Sequence, residues 1–338
     1  MLPTKYKPKL GYIQTQHAIK VVKDTFEKKL SKRLHLIRVT APRFLIIGTG
    51  LQDDLAGTQV PVGFNVRFTD KRIEMVHSLA KWKRHMLGKH SFGKGTGIYT
   101  DMDAVRKDED VDETHSIYVD QWDWELVIGK DQRKLKFLRE IVKRIYSSVL
   151  ETENEVWKKF GIKRHLPRKL YFVHSEELES MYPTLTSRQR EDKIAAEHGA
   201  VFIIGIGYPL KSGEPHDLRA ADYDDWSTET ENGRGLNGDL IVWDQIRQKS
   251  VELSSMGIRV DAKALVHQLD RLGLSARKGL MFHKGIIEDK IPLSIGGGIG
   301  QSRLCMVLLQ KAHIAEVQSS VWPESVEKEF ERKKISLL

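Results

Sequence analysis

The sequence predicts a mixed α+β fold: a mainly antiparallel β-sheet flanked by helices. Three observations predict it. Strand-like runs are joined by hairpin-length turns and not by the crossover helices of alternating βαβ units. Residues 116–125 alternate strongly between two faces, as a strand does. Residues 16–34 and 133–159 repeat apolar positions at helical spacing. No internal repeat, low-complexity tract or linker divides the chain, so residues 1–338 are expected to form a single domain.

In the first helical stretch Ile19, Val22, Phe26 and Leu30 recur with lysines between them. Residues 36–47 then read as a strand broken at Pro42, because proline cannot donate to a β-ladder. A turn-rich loop over 48–57 carries Asp53 and Asp54. Two strands follow, 60–68 and 72–77, with a hairpin turn expected over Thr69-Asp-Lys. A basic helix covers 78–87. Strand 98–105, the charged loop at Arg106-Lys-Asp-Glu109 and the alternating strand come next. Alternation puts Tyr118, Asp120, Trp122 and Trp124 on one face and Val119, Gln121, Asp123 and Glu125 on the other. A face showing Gln121, Asp123 and Glu125 together cannot be a dry core; it faces solvent or a polar pocket.

The helix over 133–159 is closed by Gly161. A strand over 169–174, a helix over 187–198 stopped by Gly199, and a central strand over 201–207 follow. Arg219 then sits among Asp222, Asp224 and Asp225. Residues 236–243 and 250–260 read as adjacent strands, offering Asp239 and Glu252 as hard oxygen ligands. Helices over 262–272 and 278–288 lead to Pro292-Leu-Ser-Ile-Gly-Gly-Gly-Ile-Gly-Gln-Ser-Arg303. That stretch reads as a strand entry, a glycine-rich turn and a helix with Arg303 in its first turn. Such a helix start favours anions, and Arg303 adds a planar charged fork. Gln301 replaces the last glycine of a dinucleotide fingerprint, and no P-loop lysine follows the glycines.

Composition narrows the function. The net charge of +9 is spread along the chain among acids and forms no single stripe, which favours an enzyme for anionic substrates over a nucleic-acid binder. No window approaches a membrane span, and the basic N-terminus lacks the apolar core of a secretory signal. One cysteine excludes an internal disulfide and suits a reducing, cytoplasmic setting. No Cys/His cluster has zinc spacing. Cys305, in an apolar helical run, reads as a core residue and not as a nucleophile.

Taken together, the helix–strand–Pro42 segment, the strand–Arg106-x-Asp-Glu109–strand segment and Gly296-Gly-Gly-Ile-Gly-Gln-Ser-Arg303 resemble motifs 1, 2 and 3 of the class II aminoacyl-tRNA synthetase catalytic core. Within that superfamily five stretches resemble ammonia-dependent asparagine synthetases (aspartate–ammonia ligases). They are His77-Ser-Leu-Ala-Lys-Trp-Lys-Arg84, Tyr118-Val-Asp-Gln-Trp-Asp-Trp-Glu125, Arg219-x-x-Asp-Tyr-Asp-Asp-Trp-Ser227, Glu252-Leu-Ser-Ser-Met-Gly-Ile-Arg259 and the glycine stretch. Gly50-Leu51, Lys107 and Ala221 depart from the family pattern, and none of these removes a charged candidate.

The resemblance implies that ATP and aspartate form β-aspartyl-adenylate and pyrophosphate, and that free ammonia then displaces AMP to give asparagine. It implies Arg106 on the α-phosphate and Arg303 on the nucleotide. Asp239 and Glu252 would hold Mg²⁺, and His77, Ser254, Ser255 and Gly298 would order the nucleotide. For zwitterionic aspartate, Lys83, Arg219 and Arg259 are the cationic candidates, and Asp53, Asp123 and Asp224 the anionic ones. Ser78 and Gln121 supply neutral hydrogen bonds. Asp53 and Asp224 are both candidates for the base toward ammonia. A homodimer through the Pro42 region is implied by the family alone, with no nucleic-acid or membrane partner. The rivals are an aspartyl- or asparaginyl-tRNA synthetase, for which little chain flanks the core, and a catalytically dead binding relative. The intact set of Arg106, Asp239, Glu252 and Arg303 argues against the latter.

Overall fold

The computed structural model describes residues 2–338. The chain runs α1 (Tyr12–Leu34), β1 (Leu36–Arg38), β2 (Phe44–Ile46), β3 (Gly63–Val66), β4 (Thr69–Met75), α2 (Ala80–Lys89), β5 (Gly97–Val105), β6 (Tyr118–Val127) and α3 (Leu135–Phe160). It continues with β7 (Tyr171–His174), α4 (Ser175–Met181), α5 (Ser187–His198), β8 (Ala200–Ile204), the short hairpin β9 (Glu229–Thr230) and β10 (Gly233–Arg234), β11 (Asn237–Asp244) and β12 (Lys249–Ile258). The last elements are α6 (Ala262–Arg271), α7 (Met281–Ile287), β13 (Ser294–Gly300), α8 (Gln301–Leu308) and α9 (Glu324–Lys333).

One eight-stranded sheet, in the order β1-β5-β6-β13-β12-β11-β8-β7, organises the chain. Its inner pairings are antiparallel, as expected; the pairings at its two edges, β1–β5 and β8–β7, are parallel. β2, β3 and β4 form a separate small sheet.

Helix periodicity explains what covers one face. α1 buries Ala18, Val22, Phe26, Leu30 and Leu34, a stripe at four-residue spacing. α3 buries a matching stripe and stops at Gly161, whose φ of 69° is the left-handed conformation common at helix ends. Together with α8 they bury Trp122 and Trp124 of β6. Phe26 and Trp122 meet with ring centroids 4.8 Å apart. The opposite face carries Gln121, Asp123 and Glu125, with α2, α6 and α7 packed around Val76, Trp82 and Phe282 at one end.

Three local expectations are corrected. The β3–β4 turn lies at Arg67-Phe68, since Val66 pairs with Thr69. The helix expected over 278–288 is a 3₁₀ turn, Ser275–Gly279, followed by α7. The glycine stretch is not a turn: Gly296, Gly297, Gly298 and Gly300 all lie in β13, the first three paired on both sides and Gly300 with Gln121 of β6.

Candidate active site

The glycines of β13 exist because of their neighbour. Gly296, Gly298 and Gly300 face Glu125, Asp123 and Gln121 of β6 across the ladder. A β-carbon on Gly296 would collide with the Glu125 carboxylate and lie 2.6 Å from Arg259 Nη2. One on Gly298 would collide with the Gln121 amide and lie 2.8 Å from Asp123 Oδ1. Bare backbone on one strand therefore gives room to a polar row on the next.

That row opens on a cleft of about 390 Å³. Of the residues singled out from sequence, Asp53, Ser78, Arg106, Gln121, Asp123, Arg219, Asp224, Glu252, Ser255, Arg259, Gly298 and Arg303 line it. His77, Lys83, Asp239 and Ser254 stand outside the lining; Ser254 donates to Gly298 O at 2.8 Å and Lys83 to Gly297 O at 2.9 Å. One wall thus gathers groups from nearly the whole chain.

Two of the expected cations are already partnered. Arg259, 2% exposed, is gripped by Glu125, with Nη2 to Oε2 at 2.8 Å, and by Asp224. Ser294 also donates to Glu125, at 2.6 Å. Lys83 pairs with Asp123 at 2.9 Å. Buried charges need such partners, because desolvating an unpaired one costs several kcal/mol. Arg259 and Lys83 are therefore frames that hold carboxylates in place as much as donors to a substrate. Burial draws the Asp53 carboxyl above its ordinary range, with the nearby Lys81 pulling the other way. Burial likewise raises Asp224, against the pull of Arg259.

Three further arginines line the cleft. Arg106 reaches back to His77 O at 3.4 Å, while its Nε has no hydrogen-bond partner among the described residues. Arg303 donates to Glu252 O at 3.1 Å and lies 3.7 Å from the Glu252 carboxylate. Arg219 pairs with Asp239 and, at 2.6 Å, with Asp217, leaving its Nε unpartnered. His77 is fully buried with both ring nitrogens unpartnered; burial, then the Arg106 charge, lower its pKa. The start of α8 is not an open anion site as expected. The Asp120 carboxylate accepts from Ser302 N at 3.1 Å and Ser302 Oγ at 2.8 Å, which caps the helix from the far face of β6. Arginine side chains, and not that helix end, are left for an anion.

Asp239 and Glu252 lie on neighbouring strands, β11 and β12, beside a bulge after Leu240. Asp239 Oδ1 has no partner among the described residues. Desolvation, then the adjacent Asp239 charge, raise the Glu252 carboxyl. A divalent cation between them would satisfy the first and relieve the second. Among the described residues no three His, Cys, Asp or Glu side chains converge into a metal cage. Two carboxylates fit Mg²⁺, which keeps waters and substrate phosphates as its other ligands.

Sequence reasoning missed Tyr223, Asp217, Tyr118 and Gln318, all of which line the cleft. Tyr223 lies within the acidic segment already singled out, so its position was the available signal. Gln318, far down the chain, offered none.

The described residues contain no helix long and apolar enough to cross a membrane. The chain's fold is similar to that of asparaginyl-tRNA synthetase from Pyrococcus horikoshii complexed with asparaginyl-adenylate. The TM-score is 0.66 at 14% identity, over 92% of this chain and 70% of that one. Aspartyl-tRNA synthetase from Entamoeba histolytica matches with a TM-score of 0.62 at 13% identity, over 90% and 57%. At those identities the likeness shows a class II synthetase-like core and nothing finer. Sequence relatives reach further. An aspartate–ammonia ligase of Parabacteroides distasonis is 54% identical over 97% of this chain and 96% of its own length. One of Bacillus cereus is 50% identical over 98% and 99%. The aspartate–ammonia ligase family (AsnA) matches residues 13–334, and the chain belongs to that family.

Proposed function

We propose that this chain is an AMP-forming aspartate–ammonia ligase of asparagine biosynthesis, with ATP, L-aspartate and ammonia as substrates. The observation that carries the reading is a single cleft lined by both signs of charge, with Arg106, Arg219 and Arg303 beside Asp53, Asp123 and Asp224.

In the first step an oxygen of the aspartate β-carboxylate attacks the α-phosphorus, and the bond to pyrophosphate breaks. Arg106 and Arg303 are placed to offset the charge that builds on the phosphate oxygens, the contribution that usually dominates such steps. His77, Ser254, Ser255 and Gly298 shape the nucleotide end around them. Asp239 and Glu252 would hold Mg²⁺, which supplies charge neutralisation across the phosphates when bound. Arg219, which faces the cleft, takes the α-carboxylate. Asp123 and Asp224 take the α-ammonium, framed by Lys83 and Arg259, and Ser78 and Gln121 add neutral hydrogen bonds.

In the second step the nitrogen attacks the β-carbonyl carbon, the C–N bond forms and AMP leaves with the carboxylate oxygen. The nitrogen must shed protons. Asp53 and Asp224 are buried carboxyls with raised pKa, which suits a proton acceptor working near neutral pH. Cys305 supports ammonia as the donor: it is buried, and burial pushes its thiol up to about 12, far from the thiolate that glutamine-dependent transfer commonly uses.

The family expectation of a homodimer has support in Ile37, Phe44, Ile46 and Ile47, all exposed beside Pro42, with Phe64 packed edge-on to Phe44 at 5.3 Å. A cytoplasmic setting suits the single cysteine. The test is product analysis with aspartate, ATP and ammonium chloride. AMP, pyrophosphate and asparagine in equal amounts are expected. ADP as product, or a requirement for tRNA, would overturn the reading.

A further inference from the structure

The loop that carries Asp53 is held from outside. Leu55 and Ala56, consecutive non-glycine residues, both adopt left-handed backbone (φ 48° and 58°). Such conformations persist only where surrounding contacts enforce them. Within the loop Asp53 Oδ1 accepts from Leu55 N at 3.0 Å, Gly57 N donates to Asp54 O at 2.8 Å, and Thr58 donates to Leu55 O from Oγ1 at 2.6 Å and from N at 3.2 Å. Two outside contacts flank Asp53: Gln52, whose Nε2 donates to Met75 O at 2.7 Å and whose Oε1 accepts from His77 N at 3.1 Å, and Asp54, which forms an ion pair with Arg277 Nη2.

Arg277 belongs to a larger cluster. Its Nη1 lies 3.3 Å from Asp222 Oδ2. The same oxygen, fully buried, accepts from Lys81 Nζ at 2.9 Å and meets His283 Nε2 at 2.9 Å. His283 in turn fills the space over Gly50, where a β-carbon would come 2.8 Å from its Nδ1. The loop also accepts Phe282 N on Thr49 O at 3.2 Å. Burial opposes the Asp222 charge, yet Lys81 and His283 hold its carboxyl well below the usual range, so it stays a fixed anion under the loop. None of Arg277, Asp222, Lys81 or His283 lines the cleft.

We propose that Arg277, backed by the buried Asp222–Lys81–His283 cluster, is a positioning residue for the ammonia step, fixing the Asp53 loop so that the Asp53 carboxyl meets the incoming nitrogen. The proposal rests on Asp53 serving that step. Arg277 pairs with Asp54 and Asp222, whereas Arg106 and Arg303 donate to His77 O and Glu252 O, so adenylation is expected to survive its loss.

The test separates the two steps. Aspartate-dependent exchange of labelled pyrophosphate into ATP, without ammonia, reads the first. The KM for ammonium in asparagine formation reads the second. Arg277→Ala is expected to leave exchange at the wild-type rate and to raise the KM for ammonium roughly ten- to hundred-fold, the scale of a misplaced reacting group. Arg277→Lys is expected to recover part of the loss, which a merely structural defect would not predict. Asp54→Asn removes the same ion pair from the loop side and should repeat the phenotype if Arg277→Ala folds poorly. A wild-type KM for ammonium in both Arg277→Ala and Asp54→Asn, with Asp53→Asn defective, overturns the positioning role alone. Equal losses in exchange and in the ammonia step also overturn it. An unimpaired ammonia step in Asp53→Asn overturns the underlying reading of Asp53, and the proposal with it.

Discussion

The two faces of β6 differ more than any two elements of the molecule. On one, Trp122 and Trp124 are 1% and 0% exposed beneath α1, α3 and α8, held by contact area alone. On the other, Gln121 and Asp123 line a cleft and Glu125 is locked to Arg259 and Ser294. A single ten-residue strand thus supports a dry core and a charged site, one residue out of phase. The dry face contributes stability because burying apolar area is favourable. The wet face costs stability, since every carboxylate on it must be desolvated and then offset by a partner. Fold and site therefore respond to mutation in opposite ways.

The sharpest contrast pairs one change on each side. Trp122→Ala should lower unfolding free energy by about 3–5 kcal/mol, as large aromatic-to-alanine changes do in cores. Arg303→Ala, on a partly exposed side chain at the cleft, should leave the denaturant midpoint nearly unchanged and slow adenylate formation by roughly 10²–10³. Denaturant melts alongside pyrophosphate exchange check both; a similar stability loss in the two variants would erase the distinction between the faces.

A smaller effect has the opposite sign. Burial raises the Asp53 carboxyl, so the folded state holds that proton more tightly than the unfolded chain. Ionised Asp53 therefore weakens folding at every pH above the ordinary carboxylate range, and the penalty disappears as pH falls below that range. Asp53→Asn should raise the melting temperature at pH 7 by about 1–2 °C, with the gain vanishing in acid, while the ammonia step is lost. Thermal melts across pH are the check; a lower melting temperature at neutral pH would mean that Asp53 stabilises the fold.

This division also explains what could be read in advance. The period-two alternation of 116–125 separated the tryptophans from the acids because side-chain phase is a property of the strand itself. Gly161 and Gly199 marked helix ends for the same local reason. The glycines of β13 looked like a turn because glycine usually punctuates; here they are dictated by Glu125, Asp123 and Gln121 on a strand some 170 residues away, and no local pattern carries that. Lys83 and Arg259 looked like free cations because their neutralising partners, Asp123, Glu125 and Asp224, come from other segments. Asp120 closed the α8 helix start across the sheet. Charges are legible in sequence, but which of them are already matched is a tertiary fact.

The central claim is that the aspartate β-carboxylate and the α-phosphorus meet in one cleft, and oxygen-18 reports it most directly. With aspartate labelled in its β-carboxylate, one labelled oxygen should appear in the phosphate of the released AMP, carried there when the C–O bond of the adenylate breaks. Label found in pyrophosphate or inorganic phosphate, with AMP unlabelled, would contradict the account.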